Sequence, residues 1–392
     1  MCRCADEEGS CDRHAKLDLA EVVRACRDRL PALTSAQSRA VEAIAVCRTA
    51  SLGGHANECD HCGHVELSYN SCRHRACPKC QSLEQARWLE AQRATVLPGV
   101  EYHHVIFTIP AVLHPIFLGN PTACYDLLFA SVSETLQEVA ANPDRLGARI
   151  GLTTVLHTWT QTLLFHPHVH CIVAGGGLAW GEKEWISCKP GFFLPVRVLS
   201  TVFRAKLLEK LQRSFGGESQ SMLDQAAKKE WVVYCKPPVA GAEQVLSYLG
   251  RYTHRIAISN SRLLSMQDGR VTFTYRDRAD GNRPKTMTLD ADQFLRRFLL
   301  HVLPDGFVRI RHYGFMANCV RREKVALCRS LLGAVTQPVQ KPEKPSWQEL
   351  LLTLTGKDPS ACPCCKLGRM VKKYVLPPLV APRPFSSRAK SP

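Results

Sequence analysis

The sequence predicts an α+β protein that begins with a metal-binding module. Cysteine pairs of the form Cys-x2-Cys occur in residues 47–82, a segment with little apolar periodicity. On both sides of it, apolar residues recur at the three- and four-residue spacing of helices. Farther along, short segments show the two-residue alternation of β-strands.

The predicted elements follow in chain order. One or two helices are expected over 13–46, before the cysteine-rich segment, and another over 83–96, after it. Pro110 stops the first strand, and the glycines 175–177 are expected to end a later one. The remaining predicted helices are 121–141, 198–215 and 242–253, and the predicted strands are 101–109, 150–157, 168–174 and one that begins at Val271.

The charge of the chain points to a polyanionic partner. The formal net charge is +16, and Asp358 is the last acidic residue before a basic tail. Such a balance favours nucleic acid. The sequence has no run of 18 apolar residues and no apolar stretch at its N-terminus, so we expect a cytoplasmic protein without a membrane partner.

Two Cys-x2-Cys pairs indicate a zinc site. Cys59 and Cys62 are separated by 14 residues from Cys77 and Cys80. Each pair can place its thiolates on one side of a turn, and two such turns complete a tetrahedral, structural site. The alternative is chance clustering of cysteines. Four further candidate ligands flank the pairs and predict a second zinc, unless the histidines are only exposed polar residues: Cys47, His55, Cys72 and His74.

Basic side chains between these ligands are expected to meet DNA phosphates: Arg73, Arg75 and Lys79. Near the C-terminus, Cys362 and Cys365 form only half a site. Its partners could be Cys319 and Cys328, or cysteines of a second chain.

Residues 164–174 contain a histidine–hydrophobe–histidine pattern. On a strand, His168 and His170 project to one face, while Val169, Cys171 and Val173 point to a core on the other. Two adjacent imidazoles can hold a divalent ion that polarises a phosphate. The alternative is a pair of hydrogen-bonded structural histidines.

Residues 242–255 place two tyrosines on one helix face. Tyr248 and Tyr252 are four residues apart, about one helical turn. Either phenolate could attack phosphorus, with Arg251 and Arg255 supplying positive charge beside it. Spacing alone equally suits two aromatic rings packed in a core.

Together these motifs resemble a known family. Residues 165–177 resemble the metal motif of the HUH endonuclease superfamily, residues 247–260 resemble the tyrosine motif of its two-tyrosine transposases, and residues 47–80 resemble the zinc-binding module that precedes the catalytic domain there. All three occur in the order found in the rolling-circle transposases of bacterial insertion sequences. The resemblance covers roughly residues 15–330.

The resemblance implies a fold and a mechanism. The catalytic domain would be a central antiparallel sheet with flanking helices, and the chain would divide into 1–96 (N-terminal helices and zinc-binding domain), 97–335 (catalytic domain) and 336–392 (linker and basic cysteine-containing tail). The histidines would bind Mg²⁺ or Mn²⁺, with Gln244, His166 or Gln161 as candidates for a third ligand. One tyrosine would nick single-stranded DNA at an element end and form a 5′-phosphotyrosine.

The resemblance also implies partners. The substrate would be single-stranded DNA at the element ends and the target site. A host helicase would unwind it, since the sequence has no Gly-x4-Gly-Lys-Ser/Thr phosphate loop. The protein would then be associated with the bacterial nucleoid. The alternatives are a replication initiator or relaxase of the same chemistry, a non-catalytic zinc-dependent DNA-binding protein, and a tyrosine recombinase that forms a 3′-phosphotyrosine without metal.

Overall fold

The computed structural model describes residues 17–239, 241–250, 256–277, 279–334 and 346–379. Its N-terminal part is made of helices around a β-hairpin. The bounds are α1 Leu19–Cys26, α2 Ser35–Ala45, β1 Gly54–Cys59, β2 Val65–Tyr69 and α3 Pro78–Arg93. Helix α2 begins in a capping box between Thr34 and Gln37, which satisfies two backbone N–H groups. The helices predicted in this part are confirmed, whereas the hairpin was not predicted.

The middle of the chain alternates long strands with helices. Its bounds are β3 Tyr102–Thr108, α4 His114–Gly119, α5 Pro121–Ala141, β4 Arg149–Trp159, β5 Phe165–Leu178, β6 Trp185–Ser187, α6 Val196–Ala227, β7 Val233–Val239 and α7 Ala242–Gly250. The strands and helices predicted over this region are present. The predicted helix 242–253 is described to Gly250, and residues 251–255 lie outside the described residues.

The rest of the described chain contributes a smaller sheet and the C-terminal elements. Its bounds are β8 Leu263–Gln267, β9 Arg270–Asp277, β10 Arg283–Asp290, α8 Ala291–Leu299, β11 Ile310–Gly314, α9 Arg321–Leu331, α10 Trp347–Thr355 and β12 Met370–Leu376. No helix within these described ranges is both long and apolar enough to cross a membrane.

The described strands form three sheets, all with antiparallel pairing. The central six-stranded sheet has the order β11-β4-β5-β3-β7, with β6 paired to β5, and the smaller ones have the orders β10-β9-β8 and β12-β1-β2. The predicted α+β fold with a central antiparallel sheet and flanking helices is therefore confirmed. Strand β5 lies in the middle of the large sheet, between β4 and β3.

One face of the central sheet is covered by α5 and α6. Val169, Cys171 and Val173 of β5 are fully buried in the main core with Leu128 of α5 and Phe203 of α6. This is the burial predicted for the odd-numbered residues of β5. The even-numbered residues, including both histidines of the motif, therefore point to the opposite face.

The sequence predicted that the glycines after the histidine motif end the strand, and this prediction is wrong. Strand β5 continues through Gly175–Gly177 to Leu178 and pairs there with β6 and β4. A Cβ on Gly176 would lie 2.6 Å from the carbonyl oxygen of Ile186 and 2.7 Å from the ring of Trp185. These glycines therefore allow neighbouring backbones to approach closely.

A second core joins the N-terminal helices to the small sheet. Leu19 and Ile44 of the N-terminal helices share one buried cluster with Phe273 of β9 and Phe294 of α8. The cysteines Cys47, Cys72, Cys77 and Cys80 border the same cluster. The N-terminal part is thus packed against residues 257–299 and does not depend on metal alone for its fold.

Candidate active site and metal centres

His168 and His170 lie on the face of β5 opposite to α5 and α6. His170 is only 4% exposed, and the two ring centroids are 4.8 Å apart. The strand places them side by side because residues two apart share a face. This part of the arrangement agrees with what the sequence predicted.

His157 of β4 brings a third imidazole to this pair. It is the cross-strand partner of His168, and the ligand nitrogens of His157, His168 and His170 all lie within 4.8 Å of one another. We refer to these three residues as the histidine centre. His157 was not predicted as a ligand, although it is the last residue of the predicted strand 150–157 and the short connection to the next predicted strand indicates a hairpin.

The three candidates for a third ligand occupy different positions. His166 is on β5 outside this group, and its carbonyl oxygen accepts a hydrogen bond from Nδ1 of His168. Gln161 lies in the turn between β4 and β5, where its carbonyl oxygen accepts from Arg262. Gln244 is exposed in α7.

Hydrogen bonds orient two of the three imidazoles. Nδ1 of His170 is 2.7 Å from Nε2 of His104 on β3, and Nδ1 of His168 is 2.7 Å from the carbonyl oxygen of His166. Both contacts use Nδ1, and a hydrogen bond at one ring nitrogen commonly orients a histidine that binds metal through the other. Burial, and then the charges of His157 and His168, lower the pKa of His170 well below its ordinary value, so its imidazole is neutral at pH 7.

The helix that carries the first predicted tyrosine packs on the same sheet face. Val245 and Leu246 of α7 are buried against Ile172, which follows His170 by two residues on β5. Tyr248 lies near the C-terminal end of α7. Tyr252, Arg251 and Arg255 lie outside the described residues.

Helix α3, which belongs to the N-terminal part of the chain, packs against α7. Trp88 and Leu89 of α3 pack against the buried residues of α7. The side-chain amide of Gln85 donates to the carbonyl oxygen of Gly250 at the end of α7. The position of α7 over the sheet thus depends on α3.

Another tyrosine lies on the histidine face. Tyr234 of β7 is the cross-strand partner of Ile106, which in turn pairs with His170. Cross-strand partners share a face, and Tyr234 is 52% exposed. Tyr313 of β11, in contrast, packs against the main core, and burial raises the pKa of its phenol.

Four cysteines form a first cluster at the start of α3. The sulfur of Cys80 is 3.7 Å from that of Cys47 and 3.6 Å from that of Cys72, and Cys77 completes the group. We call these four residues the first cysteine cluster. All four are at least 92% buried, with exposures of 0, 7, 1 and 8% for Cys47, Cys72, Cys77 and Cys80.

The other Cys-x2-Cys pair does not join them, so the predicted grouping of Cys59 and Cys62 with Cys77 and Cys80 in one site is wrong. Cys59 and Cys62 instead face Cys362 and Cys365, with sulfur–sulfur distances of 3.7 Å for Cys59–Cys365 and for Cys62–Cys362. We call these four the second cysteine cluster. Spacing suggested the wrong grouping because the two pairs lie at different ends of the hairpin region.

The other predicted zinc ligands are in neither cluster. His55 lies within β1, and Nδ1 of His74 accepts a hydrogen bond from the backbone N–H of Ala76. Cys328 is buried in a separate apolar cluster with α9, and Cys319 is exposed. These cysteines are therefore not the partners of Cys362 and Cys365.

Comparison with known proteins gives concordant results. A family model described as "Transposase zinc-binding domain" matches residues 19–109, and one described as "Putative transposase" matches residues 151–324. The chain is 50% identical over 364 residues to "Putative transposase y4qJ" of Sinorhizobium fredii (strain NBRC 101917 / NGR234), which covers 88% of this chain and 91% of that protein.

A second relative is more distant. The chain is 30% identical over 297 residues to "Transposase for insertion sequence element IS801" of Pseudomonas savastanoi pv. phaseolicola, which covers 71% of this chain and 70% of that protein. The chain belongs to the rolling-circle transposase family of bacterial insertion sequences. No solved structure matches it.

The basic residues of the zinc-binding part differ in what they offer to DNA, the substrate of a transposase. Arg75 is half-buried and donates to the carbonyl oxygen of Phe307, and Lys79 forms an ion pair with Asp18. Both side chains thus have contacts within the protein, and their use as phosphate contacts stays a prediction. Arg73 is exposed at the surface of this loop.

Proposed function

We propose that this transposase nicks single-stranded DNA at the ends of its insertion sequence and transfers the cut strand through a covalent tyrosine–DNA intermediate. The observation that carries the proposal is the position of α7, which holds Tyr248, on the sheet face of the histidine centre. A nucleophile and a phosphate-binding centre on one face form the arrangement that phosphoryl transfer requires.

The residues of the histidine centre fit a divalent cation. Their ligand nitrogens lie within 4.8 Å of one another, and hydrogen bonds at Nδ1 orient the rings of His168 and His170. Neutral imidazoles are the protonation state that metal binding needs. A bound Mg²⁺ or Mn²⁺ would orient the scissile phosphate and stabilise its developing negative charge.

The bond changes follow from the chemistry of phenol and phosphodiester. The hydroxyl oxygen of Tyr248 or Tyr252 loses its proton and bonds to phosphorus, while the bond from phosphorus to the 3′ oxygen breaks. The 3′ oxygen takes up a proton and leaves as a free hydroxyl. The products are a 5′-phosphotyrosine and a 3′-OH end. In the transfer step, a 3′-OH of target DNA loses its proton and bonds to phosphorus, the bond from phosphorus to the tyrosine oxygen breaks, and the tyrosine takes up a proton to become a free phenol.

The first cysteine cluster supports this site from a distance. We propose that it holds a structural zinc, because four buried thiols form a closed tetrahedral set. Cys80 lies in the first turn of α3, whose later turns contact α7. The zinc would thereby stabilise the helix that positions Tyr248.

The proposed DNA contacts and partners complete this account. Arg251, Arg255 and the exposed Arg73 are proposed to bind phosphates, which carry no sequence information themselves. A host helicase is proposed to supply the single strand, at the nucleoid where the element's DNA lies. The working division into 1–96, 97–335 and 336–392 is retained as a proposal.

Cleavage of single-stranded oligonucleotides that carry the element ends tests the function. We expect nicking with added Mg²⁺ or Mn²⁺, none with a chelator, and a product whose 3′ end is a free hydroxyl. A tyrosine recombinase would resist chelation and leave the 3′ end attached to protein. A non-catalytic DNA-binding protein would retain the oligonucleotide uncut, and either result would reject the proposal.

A further inference from the structure

The C-terminal segment folds back onto the N-terminal hairpin. Strand β12 pairs antiparallel with β1, from Gly54 opposite Leu376 to Cys59 opposite Met370. Beyond this ladder, Asp60 accepts a hydrogen bond from the backbone N–H of Arg369 at 2.7 Å, and its own N–H donates to the carbonyl oxygen of Arg369 at 3.1 Å. Segments about 300 residues apart in sequence therefore form one small sheet.

Each Cys-x2-Cys pair of the second cysteine cluster is held in a tight turn. The backbone N–H groups of His61 and Cys62 lie 3.4 and 3.5 Å from the sulfur of Cys59, and the N–H of Gly368 lies 3.4 Å from the sulfur of Cys365. Backbone N–H groups directed at sulfur stabilise thiolates, the form that binds metal.

The backbone of the C-terminal turn lies in close contact with the sulfur of Cys59. A Cβ on Gly368 would overlap the sulfur of Cys59 and lie 2.6 Å from Cβ of His61. The N–H of Cys362 donates to the carbonyl oxygen of Gly368 at 2.9 Å and so closes the C-terminal turn. A glycine is thus needed where the two turns meet.

We infer that Cys59, Cys62, Cys362 and Cys365 form a second structural zinc site that joins the two ends of the chain. The four sulfurs lie within 4.8 Å of one another, the closed arrangement of a Cys₄ zinc site. Cys362 and Cys365 fall outside the region matched by the zinc-binding family model, which ends at residue 109. The C-terminal segment would therefore contribute two ligands to the metal-binding part of the chain.

The small sheet has little else to stabilise it. Val65 and Leu67 of β2 and Tyr374 and Val375 of β12 are 52–70% exposed. A sheet with so little buried apolar surface needs a metal or similar cross-link to be stable. Loss of the zinc should therefore release β12 from β1.

The two cysteine clusters also differ in access to solvent. Cys62 is exposed and Cys365 is half-buried, whereas the first cysteine cluster is buried at all four positions. A chelator or oxidant reaches the second cluster more easily. The full-length protein should thus contain two zinc ions of different lability, and the more labile one should be the ion that holds the C-terminal segment.

Metal analysis of the purified full chain tests the inference. We expect two zinc ions per chain in the wild type and one in the Cys362→Ser/Cys365→Ser variant. Cys364→Ser is the matched control, because Cys364 lies in the same turn but outside the cluster, and it should keep both ions. One zinc in the wild type, an unchanged content in the double variant, or loss of zinc in the control would overturn the inference.

A measurement on the wild type covers the case in which the double variant fails to fold. The native protein is treated with N-ethylmaleimide before and after a brief exposure to a chelator, and the modified cysteines are mapped by mass spectrometry. We expect Cys364 to react at once, and Cys362 and Cys365 to react only after chelation, together with faster hydrogen exchange in residues 370–376. Reaction of all three at one rate before chelation would refute the site.

Discussion

The hydrogen bond between His104 and His170 should set the metal affinity of the histidine centre. His104 is 1% exposed, and burial, followed by the charges of Lys236 and His168, lowers its pKa to about 3. It is therefore neutral at pH 7. For Nε2 of His170 to bind metal, its Nδ1 must carry the proton and donate to Nε2 of His104.

The expected magnitude follows from this geometry. His104→Phe keeps a ring of similar size but removes the acceptor that lies 2.7 Å from His170. Loss of such a supporting partner typically lowers metal affinity about 10- to 100-fold, which is roughly 1.4–2.7 kcal/mol. His104→Gln retains an acceptor oxygen and should recover part of the affinity.

Nicking rates measured across a Mn²⁺ titration, together with direct Mn²⁺ binding, provide the assay. The His104→Phe midpoint should shift upward, and the rate at saturating Mn²⁺ should approach that of the wild type. His103→Phe is the control, since His103 is equally buried on β3 but stacks on Phe193 at the other face of the sheet. A His104→Phe midpoint within twofold of the wild type would refute this role.

Three further predictions concern the metal sites and the pH dependence of stability. His157→Asn should reduce metal-dependent nicking at least ~100-fold, because it removes one of three ligands. His166→Ala keeps the carbonyl oxygen bonded to His168 and should nick at the wild-type rate. Equal loss of nicking in both variants would contradict the assignment of His157 as a metal ligand. Cys47→Ser should lose one zinc and lower the melting temperature, measured by metal analysis and calorimetry; an unchanged zinc content would count against the first cluster. Burial lowers the pKa of His301 to about 4, so its contribution to the free energy of unfolding is present above about pH 6.5 and is lost as the pH falls towards 4. The loss is roughly 3 kcal/mol in all. In His301→Gln the free energy of unfolding, measured by denaturation, should depend less steeply on pH in this window, and an unchanged slope would be the contrary result.

Local patterns in the sequence predicted local structure well. The alternation in residues 168–173 correctly placed His168 and His170 on one face and the intervening residues in the core. This succeeded because the faces of a strand are fixed by the backbone itself. Which residues share a face can therefore be predicted without knowing what the strand packs against.

Features that depend on distant contacts could not be derived in the same way. His157 became part of the site only through the register between β4 and β5. The cysteine pairs were recognised, but their grouping was wrong because Cys62 and Cys59 contact cysteines 300 and 306 positions later. Spacing within one segment contains no information about a partner strand from the other end of the chain.

The proposed function depends on a covalent bond between DNA and a tyrosine of residues 242–255. The direct test incubates the protein with a labelled single-stranded element end and Mn²⁺, isolates the adduct, and maps the attached tyrosine by mass spectrometry. Tyr→Phe removes only the hydroxyl, so a Tyr248→Phe/Tyr252→Phe variant should fold and bind DNA, with a structural cost of at most about 1 kcal/mol for each lost hydrogen bond. We predict an adduct at Tyr248 or Tyr252 in the wild type and none in this variant. An adduct formed by the variant, with Tyr234 on the histidine face as the first position to inspect, would contradict it.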